Sequence, residues 1–345
     1  GTALLNMETR DNTTDFAESV QAFIDGKTKP LGSLGAIEKV AAQLAAISGT
    51  LQPEIDTCEL ILFAADHGIA AAGVSAYPHQ VTRQMVLNIL QGGAASAVFA
   101  RSSGVSLSVV DAGVKGGEIN HPSLINRRLG DGTANAVVEA AMTVEQYERA
   151  IIHGQALGES AKSDVIAFGE MGIGNTASAA LVSAKVLGSA VADLTGRGTG
   201  LDDAGLAKKR ELLQQASVRT APKLAAADAL REYGGFEIAM MAGAMLGAAG
   251  TGRPIIVDGF ICSAAALCAR DLNATIEQHL IFAHVSAEQG HRQVLEAMNA
   301  NVILDLQLRL GEGTGGLLAW PIIRAAAKML SEMASFDDAG VSNRE

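Results

Sequence analysis

Five short apolar runs, each closed by glycine and polar residues and spaced by helix-length stretches, constrain this chain more than any other feature. They are residues 58–64 (CELILFA), 105–110 (VSLSVV), 163–168 (SDVIAF), 254–257 (PIIV) and 280–283 (LIFA). A strand that is apolar along its whole length is covered on both faces, which is the situation in a parallel sheet. The stretches 81–100, 143–160, 176–187, 204–216 and 236–249 carry helical spacing. This β-α alternation predicts an α/β fold with a doubly wound, mostly parallel, Rossmann-like sheet.

The two ends read differently. Residues 15–47 are helical in pattern, broken at KTKPLGSLG, where Pro30, Gly32 and Gly35 force a turn, and residues 302–336 return to helix around the loop GEGTGG. The expected division is a large α/β substrate-binding domain over 51–301, with 1–50 and 302–345 forming a small helical domain. Hydrophobic residues make up 48% of the 345 residues and charged ones 18%, enough apolar material for a sizeable core. The longest apolar stretch, 238–250, falls short of the roughly 20 residues that cross a bilayer, so no membrane partner is expected. Cys58, Cys262 and Cys268 form no CxxC pair and read as buried structural thiols. With a start that lacks the charged-then-apolar order of export signals, they predict a cytoplasmic protein.

A net charge of -11, aromatic residues at only 4% and the lack of a Lys/Arg run of the kind that tracks a phosphate backbone argue against nucleic acid as a partner. They do not argue against a small anion, which backbone N–H groups and one lysine hold locally.

In a doubly wound sheet, ligands bind beyond the carboxyl ends of the strands. The segments there read ADHGIAAAGVSAYPHQVT, DAGVKGG, GEMGIGNT, DGFICSAA and HVSAEQG. In GEMGIGNT, Gly169, Gly172 and Gly174 lie between strand and helix beside Glu170 and Asn175, a pattern suited to phosphate. The same residues fit G-x-G-x-x-A with Asp193 downstream, so an NAD(P)-dependent oxidoreductase stays open, as does a ligand-free turn. The run DLTGRGTGLDD lacks the strand that leads into a phosphoribosyl diphosphate loop and is not read as one, but Lys208 or Lys209 beyond it suits a phosphate. Glu312, between Gly311 and Gly313, is either a site carboxylate with a raised pKa or the cap of the following helix. His67 reads as structural. Ser286 and His284 follow a strand directly, where both could line the cleft, Ser286 being the better phosphate or ribose contact and His284 having loop orientation as its alternative. GxSxG, GxxxxGK[ST] and HExxH are absent from the sequence, so hydrolase, P-loop and zinc-protease chemistry lose their main support.

Taken in order, KPLGSLG, ADHGIAAAGVSAYPHQVT, VVDAGVKG, GEMGIGNT, GGFEIAMMAGAMLGAA, DGFICSAAAL, HVSAEQGH and LRLGEGTGGLLAWP resemble the nicotinate-nucleotide:dimethylbenzimidazole phosphoribosyltransferase family from Lys29 to about Phe336. The resemblance implies transfer of phosphoribose from nicotinate mononucleotide to 5,6-dimethylbenzimidazole or a related base. The products are nicotinate and α-ribazole 5′-phosphate, the latter for the nucleotide loop of cobalamin. No metal and no cofactor are implied. It assigns Glu312 as catalytic base with Glu170 assisting, and Gly172, Gly174, Asn175, Lys209 and Ser286 as nucleotide and phosphate contacts. Tyr77, Met85 and Leu310 fall in the base pocket, where their types leave adenine or a phenol as alternative acceptors. The family also implies a homodimer, for which the helix 236–249 is an interface or, equally, a core helix. A non-catalytic partner subunit of the same fold is the remaining alternative.

Overall fold

The computed structural model describes residues 2–343, with side chains described from Asn12 onward. Gly1, Arg344 and Glu345, which the expected small domain includes, lie outside the described residues. Two compact units are present: residues up to Asp56 with those from Trp320 on, and Thr57–Ala319.

The larger unit is built on strands β1 (Cys58–Ala65), β2 (Ser106–Gly113), β3 (Leu124–Asn126), β4 (Val165–Met171), β5 (Ile255–Val257) and β6 (Leu280–Phe282). Their order is β3-β2-β1-β4-β5-β6, and every neighbouring pair is parallel. All five apolar runs are strands, as their two-sided burial requires. The sixth, β3, is a three-residue edge strand with no apolar run to announce it, and it pairs only with Val109–Asp111 of β2. From β1 the chain builds outward to β2 and β3, and then returns to the other side of β1 for β4, β5 and β6. This reversal opens a crevice at the carboxyl ends of β1 and β4, the place where doubly wound sheets bind ligands. Strand β4 outlasts its apolar run and carries Gly169 and Glu170 within the sheet, so Glu170 issues from a rigid element and not from a loop.

The sheet is sealed by helices whose small residues permit close approach. Helix Val144–Glu159 begins with a capping box between Thr143 and Gln146 and packs along helix Phe236–Gly250. A Cβ on Gly154 or Gly158 would overlap the carbonyl of Met240 or Ala244, and one on Gly247 would overlap that of Gln155. The two backbones therefore touch, and Phe236–Gly250 is buried along nearly its whole length within this one chain. Of its two expected roles it takes that of a core helix.

Two expected helices are redrawn. Residues 81–100 form two helices, Gln80–Leu90 and Ala95–Ser103, because Gly92 takes a left-handed turn (φ 85°) that a continuous helix excludes. Residues 302–308 are not helical but run along the sheet, with Gln307 turning left-handed (φ 60°): Leu304 N donates to Ala283 O (2.9 Å), Val285 N to Leu304 O (3.1 Å) and Ala287 N to Leu308 O (3.0 Å). Helix starts only at Thr314 and runs to Glu332. The 302–308 segment continues the sheet beside the end of β6 and delivers residues 309–313 to the crevice.

In the smaller unit, helices Thr2–Asp25 and Ala36–Ser48 flank the KTKPLGSLG turn, in which Gly32 and Gly35 are left-handed. Lys27 ties this end to the last turn of the C-terminal helix, donating to Leu330 O (3.0 Å) and Met333 O (2.7 Å).

Candidate active site

At the ends of β4 and β5, two acidic side chains hold one loop. Gly311, Glu312 and Gly313 are consecutive left-handed residues with φ of 83°, 60° and 77°. Glycine adopts this freely, whereas Glu312 does so at a cost of about 1–2 kcal/mol, so its surroundings must impose it. The restraints are visible. Glu170 Oε2 accepts from Glu312 N (3.4 Å), and Asp258, just past β5, accepts from Gly313 N (3.1 Å) and Gly316 N (3.0 Å). Thr314 Oγ1 closes the turn onto Gly311 O (2.8 Å). Gly169 makes room for it, since a Cβ there would stand 2.7 Å from the carbonyl carbon of Glu312.

This packing removes carboxyl groups from water. Glu170, Asp258 and Glu312 retain only 5%, 1% and 3% of their exposure. Burial, reinforced by Asp258, pushes the Glu312 carboxyl up to about 7. Glu170 is driven well above the ordinary carboxylate range by burial and by Asp258, with Asn175 opposing through a 3.2 Å hydrogen bond. Glu312 Oε1 has no hydrogen-bond partner, so it is not consumed as a helix cap. A carboxyl with one free oxygen, titrating near neutrality, has the properties of a general base.

Two adjoining clefts share Glu170, Asn175, Thr176, Gly198, Thr199 and Leu310. The first extends over Gly172 and Gly174 at the start of helix Asn175–Leu187, and the second over His284, Ser286, Glu288 and Gly311. Lys209 is fully buried behind them, its Nζ donating to Gly196 O (2.7 Å) and Thr176 Oγ1 (2.9 Å), and burial lowers its pKa to about 8. A Cβ on Gly198 would lie 3.7 Å from that ammonium. A helix N-terminus, glycine amides and an ammonium thus lie near one another, groups of the kind that suit an anion. Ser286 is fixed by His291, whose Nδ1 accepts from Ser286 N (2.9 Å) and whose Nε2 meets Ser263 Oγ (3.0 Å). Burial, with His284 nearby, depresses the His291 pKa to about 3, so this ring is neutral.

The structure therefore brings Glu170, Gly172, Gly174, Asn175, Ser286 and Leu310 onto the clefts, with Lys209 behind and Glu312 next to the lining residue Gly311. Tyr77 is half exposed one residue beyond Ala76, which lines the first cleft, while Met85 packs against the apolar cluster around Leu62 and Val86. Neither lines either cleft. His67 has a supporting place: its Nε2 lies 2.6 Å from Glu237 Oε2 and its Nδ1 3.1 Å from Ser178 Oγ, under Gly172. Although burial alone lowers its pKa, Glu237 raises it overall. The dinucleotide fingerprint is not realised, because Asp193 sits in the short helix Val191–Leu194 and not at the end of a strand beside the glycines.

Sequence reasoning misses Asp258 and the run Arg197–Thr199, which does not read as a diphosphate loop yet lines the clefts, while His284 lines the second cleft as its place after a strand allows. The one available signal for Asp258 is its position immediately after an apolar run.

Among the described residues, Glu170, Asp258 and Cys262 bring possible metal-ligand atoms within 4.8 Å of one another. They suit a metal poorly. Asp258 is committed to two amides, and burial pushes the Cys262 thiol well up, so it stays protonated and bonded to Phe168 O (3.4 Å).

A family profile described as Phosphoribosyltransferase (DBI_PRT) matches residues 10–341. The chain is 52% identical over 326 residues to the nicotinate-nucleotide–dimethylbenzimidazole phosphoribosyltransferase of Cupriavidus necator, covering 94% of each chain. It is 51% identical over 333 residues to the protein of the same name from Dechloromonas aromatica, covering 95% of this chain and 96% of the relative. The crystal structure of CobT from Thermus thermophilus superposes with a TM-score of 0.92 at 42% identity, over 96% of this chain and 100% of that one.

Proposed function

The chain belongs to the nicotinate-nucleotide–dimethylbenzimidazole phosphoribosyltransferase family, and from that premise we propose that Glu312 is its general base and that the two clefts hold the nucleotide donor. The protein is a phosphoribosyltransferase that converts nicotinate mononucleotide and 5,6-dimethylbenzimidazole to α-ribazole 5′-phosphate and nicotinate, a step in building the nucleotide loop of cobalamin. The observation that carries the assignment of the base is the unpartnered Oε1 of Glu312, in a buried carboxyl titrating at about 7 and held by Glu170 and Asp258.

The donor's phosphate sits at the amides of Gly172 and Gly174, with Asn175, Ser286 and the buried Lys209 completing its surroundings. Its pyridinium carries positive charge toward the acidic cluster, which favours the ionised form of Glu170. Glu312 takes the N–H proton of the benzimidazole as the other ring nitrogen attacks C1′. The bond from C1′ to the nicotinate nitrogen breaks, and its electron pair stays with the departing ring, which leaves neutral at that nitrogen. Attack from the face opposite nicotinate inverts C1′, giving the α product. The positive charge that develops on the ribose ring in the transition state is stabilised by the Glu170 carboxylate.

Leu310 lines the shared part of the clefts, and Tyr77 follows Ala76 of the first cleft in the chain, so these two, with Met85 behind, form the acceptor side. The family resemblance supports a homodimer, and three buried free thiols suit a reducing, cytoplasmic setting. Incubation with nicotinate mononucleotide and dimethylbenzimidazole should release nicotinate and form a phosphoribosylated base in equal amounts. Absence of release across a panel of benzimidazole, purine and phenol acceptors would refute the assignment.

A further inference from the structure

The second cleft contains a buried polar atom with no use in the chemistry above. His284 is 3% exposed and follows β6, held in the sheet by the bridge to Leu304. Its Nε2 lies 3.4 Å from Asp258 Oδ1, and the same edge of the ring, Cδ2 to Nε2, rests where a side chain on Gly315 would otherwise stand. A carboxylate accepts hydrogen bonds, so in the neutral ring the proton belongs on Nε2 and the lone pair on Nδ1. That Nδ1 is buried and has no partner. Leaving it so costs roughly 1–3 kcal/mol, which a ligand that supplies a donor recovers.

We propose that His284 is a positioning residue that accepts a hydrogen bond from a ribose hydroxyl of the donor through Nδ1; this rests on the phosphoribosyltransferase reading. The neighbours specify the kind of partner. The same cleft is lined by Ser286 and Gly198 on the phosphate side and by Glu170 and Gly311 on the side of the reacting carbon. The span between phosphate and C1′ of a nucleotide is the sugar, and its only hydrogen-bond donors are the 2′ and 3′ hydroxyls. Asp258, which fixes the ring through Nε2, also holds the amides of Gly313 and Gly316. One carboxylate thus ties the orientation of the sugar to that of the Glu312 loop, which sets C1′ against the base.

The test is equilibrium binding by calorimetry, without acceptor, because removing a ribose oxygen also alters reactivity at C1′. Nicotinate mononucleotide and its 2′-deoxy and 3′-deoxy forms are compared on wild type, His284→Leu and His284→Asn, the last keeping an amide close to the Nδ1 position. Wild type is expected to bind one of the deoxy forms about five- to tenfold more weakly than the natural donor. His284→Leu should lose a similar factor for the natural donor and no longer distinguish that deoxy form, while His284→Asn retains most of the discrimination. Equal binding of all three donors by wild type, or discrimination that persists in a folded His284→Leu, would overturn the proposal. Should His284→Leu fail to fold, the wild-type panel decides alone. Wild type that releases nicotinate yet shows no discrimination refutes only the role of His284; wild type that neither binds the donor nor releases nicotinate refutes the reading beneath it as well.

Discussion

The backbone amide of Glu312 points at Glu170 Oε2 from 3.4 Å, so two acidic side chains that lie far apart in sequence are coupled through the main chain of one of them. Glu170 comes from β4, a rigid central strand, and it sets the position of a residue whose own backbone, at φ 60°, is held in a conformation it does not favour. The proposed base is placed by the sheet, and its pKa depends on how dry that place is.

Dryness has a thermodynamic consequence. The folded pKa of Glu312, about 7, lies above its ordinary value of 4.5. The stability this group contributes is therefore fully present below about pH 4.5 and is lost as pH rises through 7. Glu312→Gln should abolish that loss. Measured by thermal unfolding, the variant is expected to match wild type near pH 5 and to exceed it at pH 8.5 by on the order of 3 kcal/mol, or about 4 °C. The Glu170 carboxyl is raised in both proteins by burial and Asp258, and in wild type by the Glu312 charge as well, so the variant also relieves part of that shift in the same direction.

The pH dependence of turnover follows from Glu312 and Lys209, with Glu170, raised in the same direction as Glu312, adding to the acid limb. As the proposed base, Glu312 must be ionised to accept a proton, so activity is expected to fall below about 7, and Lys209, proposed to serve the donor phosphate, loses charge above about 8. Initial rates at limiting donor should trace a bell with limbs near these values. In Lys209→Arg the alkaline limb should move to higher pH while the acid limb stays.

Gly169 is fixed by proximity. An alanine there would place Cβ 2.7 Å from the Glu312 carbonyl carbon and 2.8 Å from Gly313 N. Gly169→Ala is expected to displace the loop and lower kcat by roughly 100-fold, since a shift of about 1 Å at a reacting group has that effect. Donor binding, measured separately, should change much less.

Acceptor choice should respond to Tyr77, which is half exposed at the rim. Tyr77→Ala is expected to alter the ratio of kcat/KM between dimethylbenzimidazole and a phenol or purine acceptor by several-fold and to leave the donor KM unchanged. A change in donor KM instead would move Tyr77 out of the acceptor pocket.

Much of this is legible in the chain. Strands covered on both faces must be apolar throughout, so β1, β2, β4, β5 and β6 announce themselves, and the glycines of GEMGIGNT and GEGTG mark backbone conformations and close approaches that other residues resist. Residues that act through geometry alone leave no such trace. The three-residue β3 depends on its neighbour and not on its own hydrophobicity, and residues 302–308 lie beside β6 through backbone bonds that no periodicity records. Asp258 looks like any acid after a strand until its two amide partners are seen. His284, expected to line the cleft or to orient a loop, shows its unpaired nitrogen only once Asp258 and the loop are in place.

The proposed role of Glu312 is to remove the acceptor's proton. It is tested most directly by nicotinate release from nicotinate mononucleotide and dimethylbenzimidazole at pH 8, by wild type and Glu312→Gln, with donor affinity measured on both. The variant is expected to lose about 100-fold or more in kcat, with donor affinity within about threefold of wild type. Turnover by Glu312→Gln at the wild-type rate would contradict it.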